Sequence, residues 1–510
     1  MSSVSIERTL SWPQLAEVAL GATLQLSPTA KARIEAAEAI VRAIVDKHIR
    51  AYGVNTGVGA LSDRIIPPAQ LRDLSRNILL SHATGVGAPL TAAQTRAIMA
   101  ATINNFAHGY SGLRLQVVQR LIDLLNAGCL PVVPRQGSVG YISHNAHIGL
   151  TLIGRGQAVL GGERLAAGEA LARLGLEPLV LEAKEGLCLV NGTPSAAGLA
   201  CLALEEARRV MDWAVAVAAM TFETQRCQLD AIAPTVVALR TAPGVAQMAA
   251  RLNDLLSGSG ILSVASGRQT QDALSLRSIP QVHGAVGDVW AGVARVTDEE
   301  LASCSDNPVV MGSPEAPQVF SQAHAVGASI GLAMDQIAVA MAQLGMISER
   351  RLDRMVNPLV SGLPAFLTSA SGVASGFMIA QYTAASLVAE NRRLAAPAAL
   401  DGGVTSGLQE DILCHATPAA LKALDIIANV KTIVAIEFLA ACQSYDLLDS
   451  SLTSAPRTAT LHAALRQEIG VYDDDRPLGE DITAAVAFID QRSPDVILAA
   501  ADAARRACAA

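Results

Sequence analysis

The sequence predicts a mainly α protein in which a central bundle of long helices is joined to a smaller N-terminal α+β domain. Residues 195–227, 327–356, 374–396 and 418–448 each carry long apolar-rich helical patterning, with glycine and proline mainly at the edges. Hydrophobic residues make up 51% of the 510-residue chain but aromatics only 3%, so packing rests on small aliphatic side chains that let helices approach closely. Residues 127–190 are instead richer in Gly, Pro and Val, with short apolar runs at Ala158-Val-Leu160 and Leu179-Val-Leu181.

Residues 1–60 mix short helical patterns with a turn-rich end, Tyr52-Gly-Val-Asn-Thr-Gly-Val-Gly59. So many glycines with an asparagine describe a tight loop that brings backbone near a ligand. From 68 to 126 the pattern is helical, punctuated by Ser81-His-Ala-Thr-Gly85 and His108-Gly-Tyr-Ser-Gly112. Residues 127–190 read as a small α+β segment. The predicted division is 1–193 for the N-terminal domain and 194–510 for the helical bundle, whose last 60 residues form a shorter helical cap. Helices this long and apolar pack on several sides, some of them against other subunits.

The net charge of −8 comes without a long run of either sign, which argues against nucleic acid and anionic membrane partners and for a small-molecule substrate. The N-terminus has no basic segment leading into an apolar one, and the eight cysteines, at 129, 188, 201, 227, 304, 414, 442 and 508, form no CxxC pair. A reduced cytoplasmic protein is expected. Mean hydropathy is positive, but the longest apolar stretches contain charges, as in Leu202-Ala-Leu-Glu-Glu-Ala-Arg-Arg209, so buried helices explain it better than membrane spans. His144-Asn-Ala-His147 has no third ligand nearby in sequence, and no metal or nucleotide cofactor is expected.

Eight short motifs, taken in order, resemble those of the histidine and phenylalanine ammonia-lyase family over nearly the whole chain. They are Tyr52-Gly-Val-Asn-Thr-Gly57, Ser81-His-Ala83, Asn191-Gly-Thr193, Gln271-Asp-Ala-Leu-Ser-Leu-Arg277, Ser305-Asp-Asn-Pro308, Ser348-Glu-Arg-Arg351, Ser375-Gly-Phe-Met-Ile-Ala-Gln381 and Gln409-Glu-Asp411. The resemblance implies the family's long-helix fold and a homotetramer with sites shared between subunits. It also implies roles: Tyr52 as the general base for the β-proton, Arg277 as the carboxylate clamp, and Asn191 as a site-lining amide. His82 and Glu410 match positions that lie near the side chain in histidine-type members, which favours an imidazole-like ring. Each position also has a plainer reading: Tyr52 capping a turn, Arg277 in a surface pair, Asn191 shaping a turn, His82 in the core and Glu410 ending a helix.

The sequence departs from the family at three places. After Gly137-Ser-Val-Gly140 the family has Ala-Ser-Gly, which cyclises and dehydrates into the electrophile methylidene-imidazolone; here Tyr141-Ile-Ser143 stands instead. Ring closure needs a backbone nitrogen to attack the carbonyl two residues upstream, a contact that glycine makes easily. Leu274 replaces a tyrosine, and Gln322-Ala-His-Ala325 keeps only His324 of an Asn-Phe-His-Gly stretch.

An enzyme without the electrophile needs an activated leaving group, and a trimethylammonium is one. The sequence therefore leads to the expectation of a lyase releasing trimethylamine from a histidine-derived betaine, ergothioneine to thiolurocanate. In that reading it is most similar to the family's electrophile-lacking branch, ergothionase, with Tyr141 offering an aromatic face to the cation. The alternatives are a histidine ammonia-lyase using the shifted frame Ile142-Ser-His144, and a non-catalytic member binding an imidazole metabolite.

Overall fold

The structure, a computed structural model, describes residues 2–370, 372–400 and 402–509, without the side chains of 507–509, so the Cys508 thiol falls outside the description. The chain divides into two compact units. The first comprises Met1–Glu205, Val293–Asp335 and Pro397–Leu421, and the second Glu206–Gly292, Gln336–Ala396 and Lys422–Ala510. The fold is mainly helical, and the predicted long helices are present as Pro194–Thr224, Ala328–Val356, Met378–Leu394 and Ala416–Asp446. Among the described residues two stretches, Glu185–Thr224 and Ala328–Val356, are long and apolar enough to cross a membrane, yet their apolar windows are mostly buried within the protein.

Two further helices, Pro243–Leu256 and Ile279–Leu301, were not legible as such. Gly284, Gly287 and Gly292 lie inside the second, and internal glycines read as breakers. Their use is close approach. A Cβ on Gly284 would sit 2.5 Å from the Gly244 carbonyl carbon, and one on Gly244 2.1 Å from the Gly284 oxygen. The two helices therefore meet backbone to backbone.

In the first unit the strands are short. Gln157–Leu160 pairs antiparallel with both Leu130–Pro131 and Glu163–Ala166, so Ala158-Val-Leu160 is a strand as its pattern suggested. Leu179-Val-Leu181 is not: the Leu179 N–H is taken by the Leu152 carbonyl (2.8 Å) at the end of the Ser143–Leu152 helix, and the run docks as irregular chain. Other strand pairs are Ser3–Ile6 with Thr23–Leu26 (parallel), Val86–Pro89 with Pro134–Gln136, and Val309–Gly312 with Pro317–Phe320.

Three helices build the floor on which the site residues stand. Leu71–His82 buries Leu71, Ser75, Ile78 and Leu79, a single face at helical spacing. It packs on Glu185–Val190 and on Ser143–Leu152. At Gly186 the helices nearly touch, for a Cβ there would lie 2.2 Å from the Ser75 carbonyl oxygen. The seven described cysteines are free thiols, and among them only Cys304 is not buried.

The second unit holds a fully buried ion pair. Arg351 donates through Nε (2.6 Å) and Nη2 (2.8 Å) to Glu437, whose carboxylate also accepts from Thr221 Oγ1 (2.8 Å) and Ser348 Oγ (2.5 Å). The Ser348-Glu-Arg-Arg351 motif is thus structural. Every lone pair is satisfied, which makes the pair tolerable at zero exposure, and removing one partner strands a buried charge. Glu437→Ala is expected to lower unfolding stability by about 3–5 kcal/mol, read as a fall in the urea midpoint, whereas Glu163→Ala, which breaks an exposed pair with Arg173, leaves the midpoint in place. An unmoved midpoint in Glu437→Ala would contradict this.

Candidate active site

The first unit gathers five of the six residues singled out from the sequence. Tyr52 stands in the glycine-rich loop, and its hydroxyl oxygen accepts a hydrogen bond from Gly59 N–H (3.3 Å). Gly53 adopts φ +65°, and a Cβ there would lie 2.3 Å from Leu187 Cδ2, so glycine is required both for the turn and for seating the loop on the Glu185–Val190 helix. Asn55 and Thr56 tie the loop internally, through Ala51 N–H to Asn55 Oδ1 (2.9 Å) and Gly53 N–H to Thr56 Oγ1 (3.1 Å).

Asn191 caps that helix, and its amide donates to Asp306 Oδ1 (3.1 Å) and to the Asn307 carbonyl (2.5 Å). Asp306 also receives Lys184 Nζ (3.2 Å), and both charged groups are buried. Lys184 donates further to the Ser111 carbonyl (2.6 Å). Burial is the largest single influence and works against the ammonium, but Asp306 and Cys188 together outweigh it, and Lys184 is held charged, above the usual lysine range. The sequence showed Ser305-Asp-Asn-Pro308 only as a motif. In the structure Asp306 is the brace that fixes Asn191, a role for which no sequence signal other than the motif existed.

The 137–147 loop lies against this assembly: Ile142 N–H donates to the Val190 carbonyl (3.0 Å). Ile142 has φ 78° and ψ −78°, a γ-turn of the strained hand and a genuine outlier for a β-branched residue. The turn brings Ser143 N–H against the Tyr141 carbonyl oxygen (3.2 Å), the two groups that ring closure would join. The shape suits cyclisation and the chemistry does not. Ile142, in the central position, has no β-hydroxyl to lose, and the one serine side chain sits on the residue that would supply the nitrogen. These residues do not fit methylidene-imidazolone, and the shifted frame centres on Ser143, which is already the first residue of a helix.

His82 ends its helix with Ser81 Oγ 2.9 Å from its Nδ1. Burial lowers its pKa, and the nearby charge of Glu410 only partly offsets this, so the ring is neutral at pH 7. Glu410 closes a tight turn in which Thr405 Oγ1 donates to its Oε2 (2.9 Å). Burial first, and then the Glu410 charge, push the Tyr141 phenol well above its usual range. Tyr141 is buried. Ser406 beside Gly59 brings the Glu410 turn to the Tyr52 loop: a Cβ on Gly59 would lie 2.4 Å from Ser406 Oγ.

Arg277 is half-buried at the end of the short helix Leu274–Arg277 in the second unit, and Leu274 is exposed. Gln322 braces the Asp306 segment, donating to the Asp306 carbonyl (2.7 Å), while His324 lines a cavity of about 460 Å³ with Tyr110, Glu300 and Cys304. Of the two histidines weighed as metal ligands, His144 Nε2 faces the Arg135 carbonyl (2.9 Å) and His147 Nε2 accepts from Gly85 N–H (3.1 Å).

Residues 10–467 match the family model described as aromatic amino acid lyase. The chain is 42% identical over 493 residues to the histidine ammonia-lyase of Symbiobacterium thermophilum, covering 96% of this chain and 97% of that one. It superposes on the crystal structure of histidine ammonia-lyase from Trypanosoma cruzi with a TM-score of 0.90 at 35% identity, over 97% and 95% of the two chains. It superposes on the ergothioneine-degrading ergothionase of Treponema denticola with a TM-score of 0.88 at 25% identity, over 96% and 99%.

His144 supplies a test of the loop's burial. Burial lowers its pKa from the ordinary 6.5 to about 4, so the unfolded chain takes up a proton that the folded one refuses. The stability it contributes is complete above pH 6.5 and is lost as pH falls toward 4, by about 1.4 kcal/mol per pH unit. Urea unfolding at pH 6.5 and 5 is expected to show a loss about 2 kcal/mol smaller in His144→Asn than in the unsubstituted protein. Equal losses would contradict a buried neutral His144.

Proposed function

The chain belongs to the aromatic amino acid lyase family, and from that premise we propose that it is a carbon-nitrogen lyase acting on histidine, releasing ammonia and the imidazole acrylate without a cyclised electrophile. The observation that carries the substrate reading is that His82, kept neutral by burial, lies within electrostatic reach of Glu410, on the turn that Ser406 brings against the Tyr52 loop. Together they form an acceptor and donor set suited to the two nitrogens of an imidazole ring. A phenyl ring has no use for it.

The expectation of trimethylamine release from ergothioneine is corrected. The relatives more similar in sequence over nearly the whole chain are named histidine ammonia-lyases, and the ergothionase structure shares less identity. The flaw in the expectation is physical. Lacking an electrophile limits how the nitrogen leaves, not what it carries: a protonated α-amine, like a quaternary one, departs as a neutral molecule. Its C–N electron pair goes with it.

In the proposed reaction Tyr52, oriented by Gly59 N–H, takes the β-proton. The C–H electron pair becomes the Cα=Cβ bond, and the ammonium leaves as ammonia. Asn191, locked by Asp306, lines the site, and the carboxylate clamp is assigned to Arg277 on the resemblance alone. We take the working form to be a homotetramer. In support, Leu408 and Ile412, which flank Glu410, and Leu359, Val373 and Leu400 are all largely exposed in the single chain, as faces awaiting another copy are.

Purified protein incubated with histidine is expected to release ammonia together with the ultraviolet band of the acrylate, and Tyr52→Phe to lower kcat by about 10²–10⁴ while still binding the acrylate. Silence with histidine, or turnover confined to N-methylated histidine, would overturn the proposal.

A further inference from the structure

The chain leading to Arg277 is pinned at one buried carboxylate. From Ser266 to Gln271 every residue is exposed, and the next one, Asp272, is only 6% exposed. A carboxylate withdrawn from water needs donors. Asp272 has two: Gln228 N–H on Oδ2 (2.6 Å) and Gln269 Nε2 on Oδ1 (2.6 Å). The first comes from a segment 44 positions earlier, just beyond the Pro194–Thr224 helix. The second closes the loop on itself.

Gln228 completes the hold. Its side chain donates to the Ala265 carbonyl (3.1 Å) and accepts from Gly267 N–H (2.8 Å). One residue thus grips the loop at its beginning through the side chain and at its end through the backbone. Ala273, which follows Asp272, starts the short helix: its carbonyl accepts from Leu276 N–H (3.0 Å) and Arg277 N–H (3.0 Å). Downstream, the Ile279–Leu301 helix fixes the other end. Between the Asp272 carboxylate and Arg277 there is a single turn of hydrogen-bonded backbone, so Asp272 is the upstream anchor of the guanidinium. A guanidinium fork meets a carboxylate through two parallel hydrogen bonds, and its recognition depends on direction.

We infer that Asp272 is a positioning residue for carboxylate recognition, anchoring the turn that presents Arg277 and so setting the direction of its guanidinium. The inference rests on the assignment of the carboxylate clamp to Arg277 in the reading above, and it concerns binding, so it is tested without turnover.

The test is calorimetric binding of two ligands to the full-length protein, imidazole acrylate and vinylimidazole, which differ by the carboxylate alone. Arg277→Gln is expected to weaken the acrylate by about a hundredfold and to leave vinylimidazole unchanged. Asp272→Asn, which keeps the size and leaves one acceptor for two donors, is expected to weaken the acrylate about tenfold, again with vinylimidazole unchanged. Gln269→Ala removes one donor at an exposed position and carries a smaller loss of the same kind. A selective loss in Arg277→Gln without one in Asp272→Asn would overturn the inference and leave the clamp standing. An equal loss of both ligands in Asp272→Asn would show general damage and overturn it as well. No selective loss in Arg277→Gln would remove the clamp assignment and the inference with it. Selective losses in both variants, with no ammonia released from histidine, would remove the proposed reaction and leave the positioning role in place.

Discussion

One buried carboxylate governs the geometry of the first unit. Asp306 is shared between Lys184, whose charge it holds in a dry interior, and Asn191, whose amide it fixes. Desolvating two charges is expensive, and the pair is tolerable because Lys184 also reaches the Ser111 carbonyl while Asp306 takes the Asn191 amide. The arrangement ties together residues far apart in sequence: the 108–112 turn, the Glu185–Val190 helix and the Ser305-Asp-Asn-Pro308 segment. Upon the same helix rest the Tyr52 loop, through Gly53, and the 141–143 loop, through Ile142 N–H.

On that frame the 141–143 loop shows a backbone and a side-chain set that point in different directions. The γ-turn at Ile142 is costly for a β-branched residue, and it persists because both flanks are pinned. Its shape would suit ring closure, but Ile142 has nothing to eliminate. The space is occupied instead by the buried Tyr141 side chain.

Much of this was legible in the sequence, for identifiable reasons. Long helices declared themselves by apolar patterning bounded by glycine and proline, and the tyrosine loop by its density of glycines. Ile279–Leu301 did not, because its internal glycines serve contact with another helix, and contact is invisible in one dimension. Leu179-Val-Leu181 looked like a strand and found no partner. At the site, Tyr52, His82, Asn191 and Glu410 came from motif matches, whereas Lys184 was not singled out: between Glu182 and Glu185 it reads as one more solvated charge until Asp306 is placed beside it. The trimethylamine expectation failed at a different link, from the absence of one group to the identity of a substrate.

The central claim is that an uncyclised chain expels ammonia from histidine. Its most direct test is intact-mass spectrometry on the same preparation that is turning over histidine. The account predicts the mass of the unmodified polypeptide alongside ammonia release. A mass short by the water lost in cyclisation and dehydration would contradict it, showing that the loop forms the electrophile despite Ile142.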